Sequence, residues 1–329
     1  MPVLFRHPSS LEHDTGPGHP ERIERIRAIE AELSGRDWLG YELREAPAVT
    51  DEQLLAVHPQ SYVDFVRATC DRGAAFDLDT PTSGPASFEA ALHAAGGACA
   101  LVEALSAGES AGFSALRPPG HHAELTRAMG FCLFANVAIA ARHALDSLGA
   151  ERVFVLDWDV HHGNGTNAIF RESPEVLFAS LHQSPFWPGS GPLSDVGAGR
   201  GEGYSINLPV PAGSGEETFC GLVEHVVLPA ARAFDPDLVQ ISAGYDAHRD
   251  DPLAECMLET GSYAQLALQA LTLGKPVGYV LEGGYDLDAL ASSVAASMES
   301  LAAGGDPRSF QRGPLVEEAA ATVGRYWEL

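Results

Sequence analysis

Short apolar runs alternate with longer amphipathic stretches along most of the chain. The short runs predict strands at residues 2–6, 112–116, 152–156, 175–181, 204–209, 237–242 and 276–281. The longer stretches repeat apolar positions every three to four residues, and they predict helices at 20–34, 51–57, 60–70, 86–107, 135–148, 216–233, 261–273 and 286–302. Because strands alternate with helices, we expect an α/β fold with a mostly parallel central sheet flanked by helices on both faces.

No linker, repeat or low-complexity tract interrupts this pattern, so we expect one domain over residues 1–329. The stretch MPVLFRHPSS lacks the apolar core of a secretory signal, and no uninterrupted apolar run is long enough for a membrane span. We therefore expect a cytoplasmic protein without a membrane partner.

The composition is strongly acidic, with a formal net charge of −25 at pH 7. This charge disfavours nucleic acid or an anionic membrane as a partner, because phosphate binding needs a basic footprint. It would attract a cationic substrate, or it serves only solubility. The five cysteines are scattered without a C-x-x-C motif, so we expect reduced core residues at Cys70, Cys99, Cys132, Cys220 and Cys256.

A stretch of polar, glycine-flanked residues follows each of four predicted strands. RPPGHHAE comes after 112–116, DWDVHHGNG after 152–156, SAGYDAHRDDP after 237–242 and LEGGYD after 276–281. Ligands of open parallel sheets bind outside the carboxyl ends of the strands. One such stretch is compatible with a simple turn, but four at one edge predict a functional site.

Asp159 and His161 are one residue apart, so in extended chain both side chains point the same way and can share one ion. Asp246, after a later strand, offers a third ligand. Asp, His and Asp suit zinc or another divalent first-row metal with an open position. A lone D-x-H pair is also compatible with a helix cap and a structural histidine; the accompanying motifs favour the metal site.

Two carboxylates offset the charge of a dication, so such a site needs a separate base. His121 and His122 can supply it, because imidazole titrates near neutrality. Asp157 is available to orient one of them. Tyr285 can donate a hydrogen bond to a developing oxyanion, although an isolated tyrosine would otherwise be interpreted as a core residue.

Seven motifs together resemble the histone deacetylase family, in its class II-like branch with the bacterial acetylpolyamine and acetoin-utilisation types. They are HDTGPGHPERIERI, RPPGHHA, GFCLFANVAIA, LDWDVHHGNGT, SLHQSPFWPGSG, SAGYDAHRDDPL and LEGGYD. The resemblance runs in register from His13 to Asp286. It implies the arginase/deacetylase-like fold and the hydrolysis of acetyl groups from amines with one zinc ion.

The resemblance also implies a role for each catalytic position. The zinc ligands would be Asp159, His161 and Asp246. His122 would be the general base and acid, and His121, paired with Asp157, would hold the water and assist electrostatically. Tyr285 would polarise the acetyl carbonyl.

Further positions implied by the resemblance bind the substrate or monovalent cations. Gly130 would accept the amide N–H, and Phe131 and Trp187 would form tunnel walls; the full substrate-binding set is Gly130, Phe131, Trp187, Leu253, Gly283 and Gly284. A potassium site would use Asp157 and Ser180 with the backbone carbonyls of Asp159, His161 and Leu181, and a second would lie near Phe170, Ser173, Val176 and Tyr204. Arg25 matches the arginine of an inner acetate channel, or forms an i, i+4 pair on a helix surface.

Three positions bear on the basicity of His122 and on the choice of substrate. Class I members carry an aspartate where this chain has Asn164, and an amide should leave His122 less basic. Polyamine-selective relatives carry a glutamate where this chain has Leu253. Trp187 can bind a cation on its ring face or act as a bulkier wall. We expect N-acetyl-lysine in proteins or peptides as the substrate, with an acetylpolyamine or another small acetylated amine as the alternative.

Two other functions stay open from the sequence. A manganese ureohydrolase would need further carboxylates for a second metal, and the sequence offers His248 at that point. A noncatalytic acetyl-amine binding module would be expected to lack His122 or Tyr285, yet both are present. The native metal, the oligomeric state and the pathway are not predicted.

Overall fold

Eight strands form one sheet in the computed structural model, which describes residues 1–329. Their bounds are β1 Val3–Arg6, β2 Glu42–Glu45, β3 Ala111–Ser114, β4 Val153–Asp157, β5 Val176–Gln183, β6 Ser205–Val210, β7 Leu238–Ala243 and β8 Val277–Leu281. The order across the sheet is β2-β1-β3-β8-β7-β4-β5-β6, and every neighbouring pair is parallel. The predicted α/β architecture is confirmed, with a wholly parallel sheet.

Helices cover both faces of this sheet. Their bounds are α1 Glu24–Ser34, α2 Asp51–Leu55, α3 Gln60–Asp71, α4 Pro85–Ser106, α5 Asn136–Ser147, α6 Asn164–Phe170, α7 Glu216–Leu222, α8 Leu228–Phe234, α9 Thr260–Leu271, α10 Leu287–Ala303 and α11 Pro314–Val323. One hydrophobic core of 51 residues lies between the sheet and α1 and α7–α11, and a second of 41 residues lies against α3–α5. Alternate residues of each central strand point into the two cores.

The seven predicted strands all form, with ends within two residues of the predicted bounds. β2 was not predicted, because its sequence Glu-Leu-Arg-Glu is short and polar on an edge strand. The helix predicted from residue 20 begins only at Glu24, and the one predicted over 216–233 contains a π-helical turn at Val223–Val227. α6 and α11 were also not predicted.

Helix α4 is long and apolar enough to cross a membrane by length and composition alone. However, 83% of that apolar stretch is buried inside the protein, where it packs on α3, α5 and the sheet. Two glycines in the middle of α4 permit this packing. A Cβ at Gly96 would lie 2.0 Å from the carbonyl oxygen of Pro47, so the helix approaches that loop backbone directly.

The strands β3, β8, β7 and β4 are consecutive in the middle of the sheet. Each of these four strands is followed by one of the four polar motifs. Since parallel strands end at the same edge, the fold brings residues from distant parts of the chain together there.

Candidate active site

Two aspartates and one histidine, all candidate metal ligands, converge at the carboxyl ends of β4 and β7. Asp159 and His161 lie in the loop after β4, and Asp246 lies in the loop after β7. Their candidate ligand atoms all lie within 4.8 Å of one another, and all three residues are buried. They are the only cluster of three or more His, Cys, Asp or Glu ligands close enough to hold a metal ion in the structure.

The spacing fits a tetrahedral metal ion. His161 Nδ1 lies 3.1 Å from Asp159 Oδ1 and 3.1 Å from Asp246 Oδ2. Two ligands about 2.0 Å from a tetrahedral zinc ion are about 3.3 Å apart, so little adjustment is needed. Burial would lower the pKa of His161, but hydrogen bonds to the two carboxylates and their charges raise it to about 10. The cluster therefore attracts positive charge at the point where a metal would lie.

The backbone fixes both carboxylates. The Gly283 N–H donates to Asp159 Oδ2 at 2.8 Å, and the Val160 N–H donates to Asp246 Oδ1 at 2.9 Å. A Cβ at Gly283 would lie 2.2 Å from Asp246 Oδ2, so only glycine allows this strand end to approach the ligands. The oxygens are therefore oriented before any ion binds.

The tandem histidines lie beside the cluster, but their partners differ. His121 Nδ1 lies 2.9 Å from Asp157 Oδ2, and His122 Nδ1 lies 2.8 Å from Asn164 Oδ1. Asn164 donates its amide to Glu124, so its oxygen accepts from the Nδ1–H of His122. This leaves Nε2 of His122 without a proton, and the His122 ring lines the central cavity.

The electrostatic environments of His121 and His122 also differ. Burial and the nearby positive charge of His121 and His161 hold the pKa of His122 well below its ordinary value. Burial would also lower the pKa of His121, but the charges of Asp157 and Asp159 outweigh it and raise that pKa well above its ordinary value. Two adjacent imidazoles are thus set apart as a neutral base and a cation, which is typical of acid–base catalysis.

Tyr285 follows β8 and is 7% exposed. Burial raises the pKa of its phenol well above the ordinary value, so the hydroxyl keeps its proton and can donate a hydrogen bond. Its backbone N–H donates to Asp251 Oδ2 at 2.7 Å, and the guanidinium of Arg25 lies 5.2 Å from its ring centre. Arg25 is fully buried and donates to the carbonyl of Gly284. It also forms an i, i+4 pair with Glu21 at 3.0 Å, so the predicted pair exists, but it is buried and not on a helix surface.

A cavity of about 360 Å³ opens above these groups. Its lining includes the predicted residues His122, Gly130, Phe131, His161, Trp187, Leu253 and Tyr285. The His122 and Trp187 rings meet edge to face at 4.7 Å, and the Phe131 and Tyr285 rings do so at 5.9 Å. The walls are therefore aromatic where an aliphatic chain would pass.

Five further lining residues were not predicted: His19, Pro20, Leu78, Asp79 and Phe186. Phe186 stacks on His161 at 5.2 Å and stands next to Trp187 in the chain, so the SPFWPG motif could have indicated it. Leu78 and Asp79 come from the loop before α4, which carries no signal of its own. Only folding brings that loop to the mouth of the cavity.

Other predicted positions lie outside the cavity lining. Gly283 and Gly284 lie behind the ligands, where their backbone contacts Asp159 and Arg25. Ser180 is buried with its hydroxyl 3.0 Å from His182 Nδ1, and Leu181 is buried beside it; potassium at this site and at the site near Phe170, Ser173, Val176 and Tyr204 stays a prediction. All five cysteines are buried and unpaired.

Residues 19–301 match the histone deacetylase domain family. The chain belongs to the histone deacetylase family. It is 41% identical over 323 residues to the chloroplastic histone deacetylase 14 of Arabidopsis thaliana, covering 91% of this chain and 76% of that protein. It is 39% identical over 308 residues to a histone deacetylase-like amidohydrolase of Pseudomonas aeruginosa, covering 91% of this chain and 80% of the relative.

Solved structures agree with this assignment. The structure of the HDA15 HD domain superposes with a TM-score of 0.93 and 37% identity, covering 99% of this chain and 94% of that one. The arginase/deacetylase fold and the family resemblance predicted from the motifs are both confirmed. Family membership favours a deacetylase over the ureohydrolase alternative.

Proposed function

We propose that this deacetylase is zinc-dependent and removes acetyl groups from N-acetyl-lysine in proteins or peptides. The observation that carries the proposal is the pairing of a neutral histidine, His122, with a buried Asp-His-Asp cluster and a protonated tyrosine around one cavity. Each of these groups has a use in amide hydrolysis, and together they leave room for the substrate.

Zinc bound by Asp159, His161 and Asp246 would supply Lewis acidity toward a carbonyl and a water molecule. The protein's own groups then handle the protons. His122 accepts a proton from the attacking water at Nε2 and returns it to the leaving amine. His121, held by Asp157, stabilises negative charge next to the water.

Tyr285 supplies the hydrogen bond that a developing oxyanion needs, because its phenol keeps its proton. Phe131 and Trp187 enclose the aliphatic chain of the substrate between aromatic faces. The backbone carbonyl of Gly130, beside His122, would accept the amide N–H. A potassium ion at Asp157, Ser180 and Leu181 would brace the loop from which two metal ligands come.

The mouth of the cavity supports a side chain of a larger molecule as substrate. Leu78 at this mouth is fully exposed, and Trp187 is 40% exposed. Leu253 lies where polyamine-selective relatives carry a glutamate. These apolar groups suit the surroundings of an acetyl-lysine in a peptide. Asp79 is the single carboxylate of the lining, and it favours an acetylpolyamine as the second candidate because it can bind a distal ammonium.

A competition assay on the purified protein tests the proposal. Acetyl-lysine peptides, acetylpolyamines and small acetamides are offered together, and released acetate and each free amine are quantified. We expect the peptide to be consumed first, and His161→Ala to abolish turnover of every substrate. Preferred turnover of the polyamine would select the second candidate, and no turnover of any acetylated amine by zinc-loaded protein would reject both.

A further inference from the structure

Glu282 is the first residue after β8 and is fully buried, yet it has no role in the chemistry described above. Its carboxylate extends toward the turn that carries the tandem histidines. Oε2 accepts the N–H of Gly120 at 2.7 Å and the N–H of His121 at 3.1 Å. Oε1 accepts the hydroxyl of Ser242 at 3.2 Å. One side chain thus joins the ends of β8 and β7 to the loop after β3.

The turn needs such an anchor. Residues 117–122 have no helix or strand of their own, so their buried N–H groups have no regular partner. The carbonyl of His121 accepts the N–H groups of Gly165 and Thr166 at 3.0 and 3.2 Å. The opposite side of the same turn is held by Glu282. The two anchors together fix the peptide from which both imidazoles project.

The backbone of Glu282 is held by hydrogen bonds as well. Its N–H donates to the carbonyl of Ala243 at 3.0 Å, and its own carbonyl accepts from the buried guanidinium of Arg25. The next residue, Gly283, holds the metal ligand Asp159. The end of β8 therefore holds both the histidine turn and the candidate metal ligand Asp159, and loss of one of these links would let the two shift relative to each other.

We propose that Glu282 is a positioning residue, which sets the distance between the catalytic histidines and the metal cluster through its hydrogen bonds to Gly120 and His121. This inference rests on the proposed function for its catalytic readout, and on the geometry alone for its structural one. Glu282 touches no reacting atom. Its effect passes through the turn.

The hydrogen bonds of Glu282 allow its role as an acceptor to be tested separately from its negative charge. Both N–H groups bind the same oxygen, and the other oxygen contacts only a hydroxyl. A glutamine can place its single oxygen toward the two N–H groups and its amide toward Ser242, so Glu282→Gln keeps every partner and loses only the charge. Glu282→Ala removes the anchor.

Glu224 provides a matched control far from the site. Its carboxylate accepts the N–H of Phe310 at 2.7 Å and the hydroxyl of Ser309 at 2.8 Å, so it also joins a backbone amide and a serine. Glu224→Ala removes two bonds of the same kinds as the three at Glu282, without touching the catalytic turn. It should leave kcat unchanged.

The experiment measures kcat, KM, zinc content and amide hydrogen exchange of Gly120 and His121 in the wild type and the three variants. We expect Glu282→Ala to lower kcat about 10- to 100-fold with KM within about threefold and zinc retained. Its two amides should exchange at least about tenfold faster. Glu282→Gln should recover most of both losses.

Two outcomes would overturn the inference. One is Glu282→Ala with kcat within about threefold of the wild type, whatever its exchange rates, because the turn would then not need the anchor. The other is Glu282→Gln as impaired as Glu282→Ala, because the charge would then be the cause. Wild-type protein that turns over no acetylated amine would reject the proposed function instead, and the exchange rates would still decide whether Glu282 anchors the turn.

Discussion

The hydroxyl of Tyr285 is the group on which turnover should depend most. Two carboxylates reduce the Lewis acidity of a dication, so much of the oxyanion stabilisation must come from the phenol. We expect Tyr285→Phe to lower kcat at least about 10²- to 10³-fold on an acetyl-lysine peptide, with metal content and KM little changed. Steady-state kinetics combined with metal analysis checks this.

Tyr279→Phe is the matched control, because this tyrosine hydroxyl is buried in the core on β8, has no hydrogen-bond partner and does not line the cavity. It should keep nearly full activity. A loss of kcat of tenfold or less in Tyr285→Phe, with metal content unchanged, would contradict the assignment of Tyr285 as the electrophile.

The metal ligands should act as a set. We expect one tightly held divalent ion per chain, and Asp159→Ala or His161→Ala should lose it, because two remaining ligands make a weak site. Elemental analysis after dialysis measures the ratio of metal to protein. Two ions per chain at full occupancy would speak for a ureohydrolase-like centre.

At this scale the sequence predicted side chains that the structure brings together at one edge of the sheet, because D-x-H spacing and strand-end position constrain where such residues can point. It did not predict the residues that hold them. Glu282, for example, is a charged residue in a glycine-rich motif, and nothing in the motif shows that it is buried against the backbone of residues 120–121. Such partners depend on which strands are neighbours.

Among the elements, α4 should be the most sensitive to added volume. Gly96→Ala would place a methyl group against the Pro47 carbonyl, and backbone cannot move aside easily. We expect a loss of about 1–3 kcal/mol in the free energy of unfolding, measured by urea denaturation.

Gly261→Ala in α9 is the control, because a Cβ there meets nothing within 4 Å. It should raise stability by about 0.5 kcal/mol, since alanine reduces the entropy of the unfolded chain. Equal stability of the Gly96→Ala variant and the wild type would show that the loop around Pro47 can retreat from the helix.

The strands were predicted better than the short helices, for a physical reason. Buried parallel strands are continuous apolar runs, and these are visible in any sequence. α6 begins with Asn164-Gly165, which is typical of a turn, and its helical form depends on contacts with the His121 carbonyl. β2 exists because its backbone pairs with β1, while its side chains alternate between half-buried and exposed.

For the molecule as a whole, buried neutral histidines should make stability depend on pH. His58 lies between the carbonyl of Leu125 and the N–H of Ala135, far from the metal cluster. Burial lowers its pKa to about 4, against about 6.5 for an exposed histidine. Between these values the unfolded chain binds a proton that the folded chain does not. This contribution to stability is therefore complete above pH 6.5 and is lost as the pH falls toward 4.

His58→Gln keeps an acceptor for the Ala135 N–H but cannot be protonated. Between pH 7.5 and 4.5 the wild type should lose about 2–3 kcal/mol more than this variant, measured by urea unfolding at each pH. Subtracting the loss of unfolding free energy in the variant from that in the wild type removes the contributions of the other titrating groups. Parallel loss in both proteins would show that His58 gains its proton without unfolding.

The position of β8 has a consequence for how the protein is made. β8 is the last strand along the chain but lies in the middle of the sheet, between β3 and β7. A chain still growing on the ribosome has both parts of the metal cluster, which follow the neighbouring strands β4 and β7, before β8 is synthesised. The β3 strand with the tandem histidines has no strand contact with that half until β8 inserts. The loops that carry the candidate metal ligands and the tandem histidines are therefore joined through the sheet only when β8 is in place.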